Sequence, residues 1–135
     1  MSAVSPANKL GPPRPLREEE AALVRKLLAN TPDADKTCRE LSNALVQDMS
    51  DGGMGSIRFY RRSSKKRIFG GEIGEGSFRD SDGALVSVTL NADQFGDIFE
   101  LDLWKVDFSP LVRYPDPEDF QIVERQGHLG SPPNR

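Results

Sequence analysis

The segment 98–108, IFELDLWKVDF, limits the possible folds more than any other part of the chain. Its large apolar side chains recur with a period of two, so Phe99, Leu101 and Leu103 share one face of an extended strand. Acidic residues occupy the other face, which becomes apolar from Trp104 onward. We therefore predict that 98–108 is the central strand of a sheet, with one wet face in its first half.

Two helices are expected to precede the sheet. Segment 16–29 carries leucines at helical spacing, acids in its first turns, and Arg25 and Lys26 near its end, as the helix dipole favours. A second apolar stripe that includes Cys38 predicts a helix over 34–49. The short link between these segments indicates an antiparallel helical pair.

Short strands separated by turn signals follow the helices. Segments 56–61 and 84–91 alternate between apolar and polar residues, and Gly70-Gly71 indicates a bulge or a close backbone approach within a strand over 68–72. Segment 73–79 either continues this strand past a bend or forms a separate strand. Residues 80–83, DSDG, form a hairpin-turn sequence. The predicted fold class is α+β, with two N-terminal helices packed on a roughly four- to five-stranded antiparallel β-meander.

Both ends of the chain differ from its middle. Residues 1–15 and 127–135 are rich in proline and offer little to bury, so we predict flexible tails there. Residues 16–126 are then a single α+β domain, which suits a chain of 135 residues.

Charge and cysteine usage restrict the compartment and the partners. A net charge of −3 argues against general nucleic-acid binding, and a single cysteine excludes an internal disulfide. No apolar run is long enough to cross a bilayer, so no membrane partner is expected. These features favour a cytoplasmic protein and leave its oligomeric state open.

Residues for catalysis or metal binding are scarce. His128 is the sole imidazole and lies in a predicted tail, whereas Cys38 lies on a helix face, so neither a zinc site nor a Ser-His-Asp arrangement is expected. The glycine-rich segment 52–55 lacks the ending of a phosphate-binding loop and is interpreted as a turn between helix and strand. We expect no enzyme activity, no cofactor and no bound metal.

Glu100 and Asp102 form a carboxylate pair on one strand face. Such a pair is compatible with a small metal-dependent hydrolase that uses sheet carboxylates. The favoured interpretation is a solvated sheet face whose acids meet cross-strand partners among Arg58, Arg79 and Lys105.

A basic run on the predicted hairpin 58–67 is the strongest local charge feature, with Tyr60 and Phe69 beside it. One interpretation is a nucleic-acid or phosphate-binding module in which these rings stack on bases. The favoured one is a solubilising turn that protects an edge strand. The basic residues are Arg58, Arg61, Arg62, Lys65, Lys66 and Arg67.

Trp104 has two interpretations as well. It is either an exposed aromatic anchor for a protein partner or, as we expect from its apolar neighbours, part of the core.

The segment 103–111, LWKVDFSPL, resembles a motif of a family of small bacterial proteins known as a domain of unknown function. The glycine-rich segment 51–56 and the Asp82-Gly83 turn resemble the same family, and the likeness covers about residues 15–120. This resemblance implies no established activity and no catalytic residue.

The sequence therefore predicts a non-enzymatic protein-binding domain, with an immunity-type partner of a bacterial toxin as the more specific form. The partner expected is a cognate protein, which would use the acidic sheet face, the tryptophan or the basic hairpin. The candidate partner-binding residues are Arg58, Arg61, Arg62, Lys65, Lys66, Arg67, Glu100, Asp102 and Trp104.

Overall fold

The computed structural model describes residues 10–29, 31–32, 34–62 and 65–123. Helices come first and most of the sheet follows, as the sequence predicts, so the fold is α+β. Two short 3-10 turns, Leu41–Asn43 and Pro117–Asp119, complete it. The helices and strands are β1 (Arg14–Pro15), α1 (Glu18–Leu28), α2 (Ala34–Glu40), β2 (Leu45–Asp48), β3 (Ile57–Phe59), β4 (Phe69–Arg79), β5 (Leu85–Asp93), β6 (Ile98–Lys105) and β7 (Gln121–Ile122).

One antiparallel sheet organises the molecule. Its seven strands run in the order β1-β2-β3-β6-β5-β4-β7, so β6 is the central strand as predicted. It ends at Lys105, however, so the prediction that the strand extends to residue 108 is wrong. The predicted count of four to five strands is too low, because short strands flank the β3–β6–β5–β4 centre on both sides. The predicted meander is also wrong, because β3 and β4 follow each other in the chain but are separated in the sheet by β6 and β5. The 80–83 hairpin turn and the bulge at Gly70-Gly71 are confirmed.

The prediction of a helix over 34–49 is correct for its first half and wrong for its second half. The structure ends α2 at Glu40 and turns Leu45–Asp48 into strand β2, which lies between β1 and β3. Val46 pairs with Phe59 and is completely buried there. Pairing with distant strands therefore outweighs the helical spacing of the local sequence.

Residues 10–15 take part in the sheet, although the sequence analysis assigns them to a tail. Leu10 bridges Met49, and Arg14–Pro15 pairs with β2. Arg14 also binds the buried carboxylate of Glu20 in a bidentate ion pair, at 2.7 and 3.1 Å. The predictions for residues 1–9 and for 127–135 lie outside the described residues.

Helix α1 packs on one face of the sheet, which we call the inner face. Val24, Leu27 and Leu28 of α1 join side chains from all the longer strands in one apolar cluster. The helix comes so close to β4 that a Cβ atom at Gly74 would lie 2.9 Å from the Leu27 carbonyl oxygen. Glycine at this position therefore lets the helix seat on the sheet.

The central strand contains a bulge that changes its predicted alternation. Asn91 pairs with Glu100 but Ala92 pairs with Ile98, which leaves Phe99 as the extra residue. Leu101 and further inner-face side chains are buried as predicted. The prediction that Phe99 shares their face is wrong, because Ile98 takes the core position instead.

Neither helix in the described part of the chain has the length and apolarity that crossing a bilayer requires.

Candidate functional site

Two exposed aromatic side chains touch at the end of β6. Trp104 is 56% exposed and Phe108 is 67% exposed, and their ring centroids lie 5.8 Å apart. Ser87 is the cross-strand neighbour of Trp104, so a small side chain leaves the indole uncovered. The interpretation of Trp104 as core is wrong. We call residues 104–110 the aromatic loop.

The backbone of Phe108 is in the left-handed region, with φ of 64°. Among the residues that the structure describes, it is the one non-glycine residue with positive φ. A bulky residue there costs about 1–2 kcal/mol relative to the right-handed region. The conformation is held locally, because Phe108 N donates to Lys105 O at 3.0 Å and Asp107 accepts from Ser109 N and Oγ.

The buried side chain of Lys105 connects the two ends of the aromatic loop. Lys105 is completely buried on the inner face, where its Nζ donates to Asp80 Oδ2 at 2.8 Å and to Asp82 Oδ2 at 2.6 Å. It also donates to the Pro110 carbonyl at 3.0 Å. One ammonium group thus joins the start of the loop, its end and the β4–β5 hairpin.

Asp80 holds the chain that follows the loop. Its two carboxylate oxygens accept hydrogen bonds from the backbone amides of Val112 and Arg113, at 2.7 and 3.1 Å, and from Ser81. Burial by itself would raise the pKa of Asp80. The hydrogen bonds from Lys105 and from these amides outweigh burial and lower that pKa to about 2.

Acid should therefore weaken the fold through Asp80. Its folded-state pKa lies below the value of about 3.9 expected in the unfolded chain, so its stabilisation is present above about pH 4 and is lost as the pH falls toward 2. Urea unfolding from pH 7 down to pH 2.5 should show a smaller loss of midpoint for Asp80→Asn than for the wild type. The exposed Asp35→Asn should follow the wild type, and an Asp80→Asn curve parallel to wild type would contradict this assignment.

The glycine-rich segment forms the wall next to the aromatic loop. It joins β2 to β3, so the prediction that it follows a helix is wrong. Asp51 accepts from the amides of Met54 and Ser56, both at 3.0 Å. Leu111 N donates to Gly53 O at 2.9 Å, which ties this segment to the chain after the loop. Backbone groups of the glycine-rich segment therefore form hydrogen bonds within the protein.

Glu100 and Asp102 lie on the outer face of β6, as predicted, but they have different surroundings. Glu100 accepts from Arg58 Nε at 3.0 Å across the β3–β6 pair, which confirms the predicted cross-strand pairing. Asp102 accepts from Ser56 Oγ at 3.1 Å. Partial burial raises the pKa of Asp102, and the negative charge of Glu100 adds to this effect. Within the described ranges, no three His, Cys, Asp or Glu residues are placed to hold a metal ion; His128 lies outside these ranges.

The basic run 58–67 is not a hairpin as predicted, because it joins β3 to β4 and these strands are not paired with each other. Its side chains also have different surroundings. The Arg67 side chain is mostly buried. It donates to Asp93 at 2.8 Å and to the carbonyls of Phe59 and Ile98 at 2.6 and 2.7 Å. Its guanidinium and that of Arg58 lie 4.9 and 4.7 Å from the centroid of the Phe99 ring. These two arginines are therefore structural. The exposed members of the run are Arg61, Arg62, Lys65 and Lys66.

A cavity of about 550 Å³ lies beside Arg61 and Arg62. Glu40 and Asp97 also line it, and each has a carboxylate oxygen about 4 Å from Arg61. Positive and negative groups are therefore balanced around this opening, which does not select for phosphate.

The fold and surface define a small α+β protein with one antiparallel sheet and an internally braced loop that displays two aromatic rings. A family model matches residues 13–115, and the chain belongs to this family, Domain of unknown function (DUF6984). The matched range contains the aromatic loop, Asp80 and the glycine-rich segment. No curated protein and no solved structure matches the chain.

Proposed function

We propose that this chain is a protein-binding domain whose contact surface centres on Trp104 and Phe108. The observation that carries the proposal is the exposure of two touching aromatic rings on a loop with a buried ionic anchor. Tryptophan and other large aromatic side chains supply much of the energy of protein interfaces. Burying both rings against a partner would remove from water the apolar surface that the isolated domain exposes, and this burial would stabilise the complex.

The aromatic surface is organised before any partner arrives. Phe108 is held in a left-handed conformation, and the buried Lys105 fixes both ends of its loop. A preformed surface loses less conformational entropy on binding than a mobile loop does. This organisation explains why the chain tolerates a strained phenylalanine at an exposed position.

The charges beside the rings favour a partner with cationic side chains. The partly buried Asp102 shares the outer face of β6 with Trp104, and the exposed Asp107 lies in the aromatic loop. Lysine or arginine from a partner can pair with these carboxylates and lie over the indole ring. We therefore expect association that is faster at low ionic strength.

The more specific form of this proposal is an immunity-type role, in which the chain covers the surface of a cognate bacterial toxin. The small size and acidic character of the chain support it. A toxin reading frame next to the gene for this chain would support it further, and its binding to the purified chain is the direct test.

Trp104→Ala should weaken a purified cognate complex by about 30-fold or more, which corresponds to the loss of an interface hot spot. The measurement is the dissociation constant from calorimetry, for a partner first co-purified with the tagged wild-type chain. Phe95→Ala is the matched control, because Phe95 is 55% exposed at the other end of β6. Equal affinity of Trp104→Ala and the wild type would refute the aromatic surface as the contact.

Phe108→Gly should separate binding from stability. Glycine relieves the left-handed backbone, so the free energy of unfolding should stay within about 1 kcal/mol of the wild type. Loss of the ring should nevertheless weaken the complex by about tenfold. Chemical denaturation and calorimetry on the same preparation check both values, and a strongly destabilised variant would show that the ring is part of the fold.

A further inference from the structure

A second apolar patch lies at the opposite end of β6 from Trp104. Ile68, Phe69 and Phe95 are 52%, 59% and 55% exposed. They come from the start of β4 and from the turn between β5 and β6, which are neighbouring strands. From Ile98 to Trp104 the strand spans about 20 Å, so this patch is separate from the aromatic loop. We call residues 65–69 and 94–96 the tip.

Hydrogen bonds between its two segments hold the tip in shape. Ile68 N donates to Gln94 Oε1 at 2.8 Å, and Gln94 Nε2 donates to Lys66 O at 2.6 Å. Arg67 is anchored inside the sheet end while its chain neighbours on both sides remain exposed. The apolar side chains are therefore displayed on a fixed base.

The charges at the tip are mostly positive. Lys65 and Lys66 are exposed, and the Lys65 ammonium lies 5.8 Å from the centroid of the Phe95 ring. Of the two acids that flank the turn, Asp93 is buried and paired with Arg67, and the partly exposed Asp97 lies 3.9 Å from Arg61. A patch of large apolar side chains bordered by lysines is typical of an interaction surface, and it complements a surface that is both anionic and apolar.

We infer that the tip docks on the surface of an anionic lipid bilayer. Ile68, Phe69 and Phe95 enter the interfacial region, where aromatic and aliphatic side chains leave water, and the lysines meet lipid phosphates. Such peripheral contact needs no membrane-spanning segment. It also does not depend on the protein-binding surface around Trp104.

Nucleic acid fits the same end of the molecule less well. A nucleic-acid strand that extends from the tip toward Arg61 would meet the carboxylates of Glu40 and Asp97, which line the cavity there. A nucleic-acid strand that crosses the outer face of the sheet would meet the carboxylates of Glu100 and Asp102. A bilayer that contacts the tip does not need to cross Glu40, Glu100 or Asp102, and Asp97 has Arg61 beside it.

Vesicle sedimentation tests the proposal on the full-length chain. The wild type should pellet with vesicles of three parts phosphatidylcholine to one part phosphatidylglycerol, and at least fivefold less with phosphatidylcholine alone. Lys65→Gln/Lys66→Gln should reduce partitioning to the anionic vesicles by about tenfold or more. Ile68→Ser/Phe69→Ser should reduce it similarly, because it removes the inserted apolar surface. Trp104→Ala is the matched control and should pellet as the wild type does.

A single-tryptophan variant shows which end of the molecule inserts. Phe95→Trp/Trp104→Phe should give a blue-shifted emission spectrum with the anionic vesicles, whereas the native Trp104 emission should not shift. A shift of native Trp104, or no sedimentation of the folded wild type, would overturn the proposal. So would tight binding of a labelled single-stranded oligonucleotide that the lysine variant loses, in the absence of vesicle binding. Circular dichroism confirms that each variant is folded.

Discussion

Replacing Lys105 with methionine should lower the midpoint of thermal unfolding by roughly 10 °C or more. Methionine keeps the length and apolar stem of the side chain but removes the ammonium group, which is completely buried. Asp80 then keeps a buried negative charge without its cation, and the Pro110 carbonyl loses its donor. Breaking one side of a buried ion pair destabilises a fold more strongly than losing a surface pair.

A double-mutant cycle isolates the Lys105–Asp80 interaction. Asp80→Ala removes acceptors for Val112 and Arg113 as well, so it should also be severely destabilising. The Lys105→Met/Asp80→Ala double variant should be less destabilised than the sum of the single variants, because the uncompensated charge disappears. Asp82→Ala should have a smaller effect, since Asp82 is partly exposed. Additive effects of Lys105 and Asp80 would contradict the pairing.

Arg67→Ala should reduce the free energy of unfolding by about 3 kcal/mol. Its guanidinium neutralises the buried Asp93, where burial alone would raise the carboxyl pKa and the Arg67 hydrogen bond helps to lower it. It also binds two backbone carbonyls, on β3 and β6, and covers one side of the Phe99 ring. Arg67→Lys should restore little of this loss, because an ammonium cannot reproduce the planar fork that reaches all of these acceptors.

Arg62→Ala is the matched control for Arg67, because it removes a cation from the same connection at an exposed position. Its free energy of unfolding should stay within about 0.5 kcal/mol of the wild type. Urea denaturation at neutral pH compares the variants. If Arg67→Ala were as stable as Arg62→Ala, Arg67 would return to the set of candidate binding residues.

The sequence was sufficient to predict the parts of the fold that rest on strong local patterns. The central strand, the inward positions Val86, Val88 and Leu90, and the 80–83 turn all follow from alternation and turn chemistry. The second half of the segment 34–49, which was predicted to be a helix, could not be assigned correctly in this way. Leu45 fits both a helical stripe and a strand, and the pairing of its segment with β3 decides between them.

The candidate site was only partly predictable, for a reason that concerns one pair of neighbours. After Leu101 and Leu103, a period of two places Lys105 inward and Trp104 outward. The predictions that Trp104 lies in the core and that Lys105 is a candidate partner for the acids of the solvated face reverse this order. The alternation of inward and outward positions therefore predicts the structure better than residue type does. A buried lysine is nevertheless acceptable only because Asp80 and Asp82 neutralise its ammonium group, and the sequence pattern does not show that they lie beside it.

The anchoring of the aromatic loop has a mechanical consequence. Lys105 belongs to the central strand, and the same ammonium holds the far end of the loop at Pro110. In the proposed protein-binding role, a load on the rings would therefore be transmitted through this ammonium to the middle of the sheet. We therefore expect the loop to deform only together with the central strand that holds it.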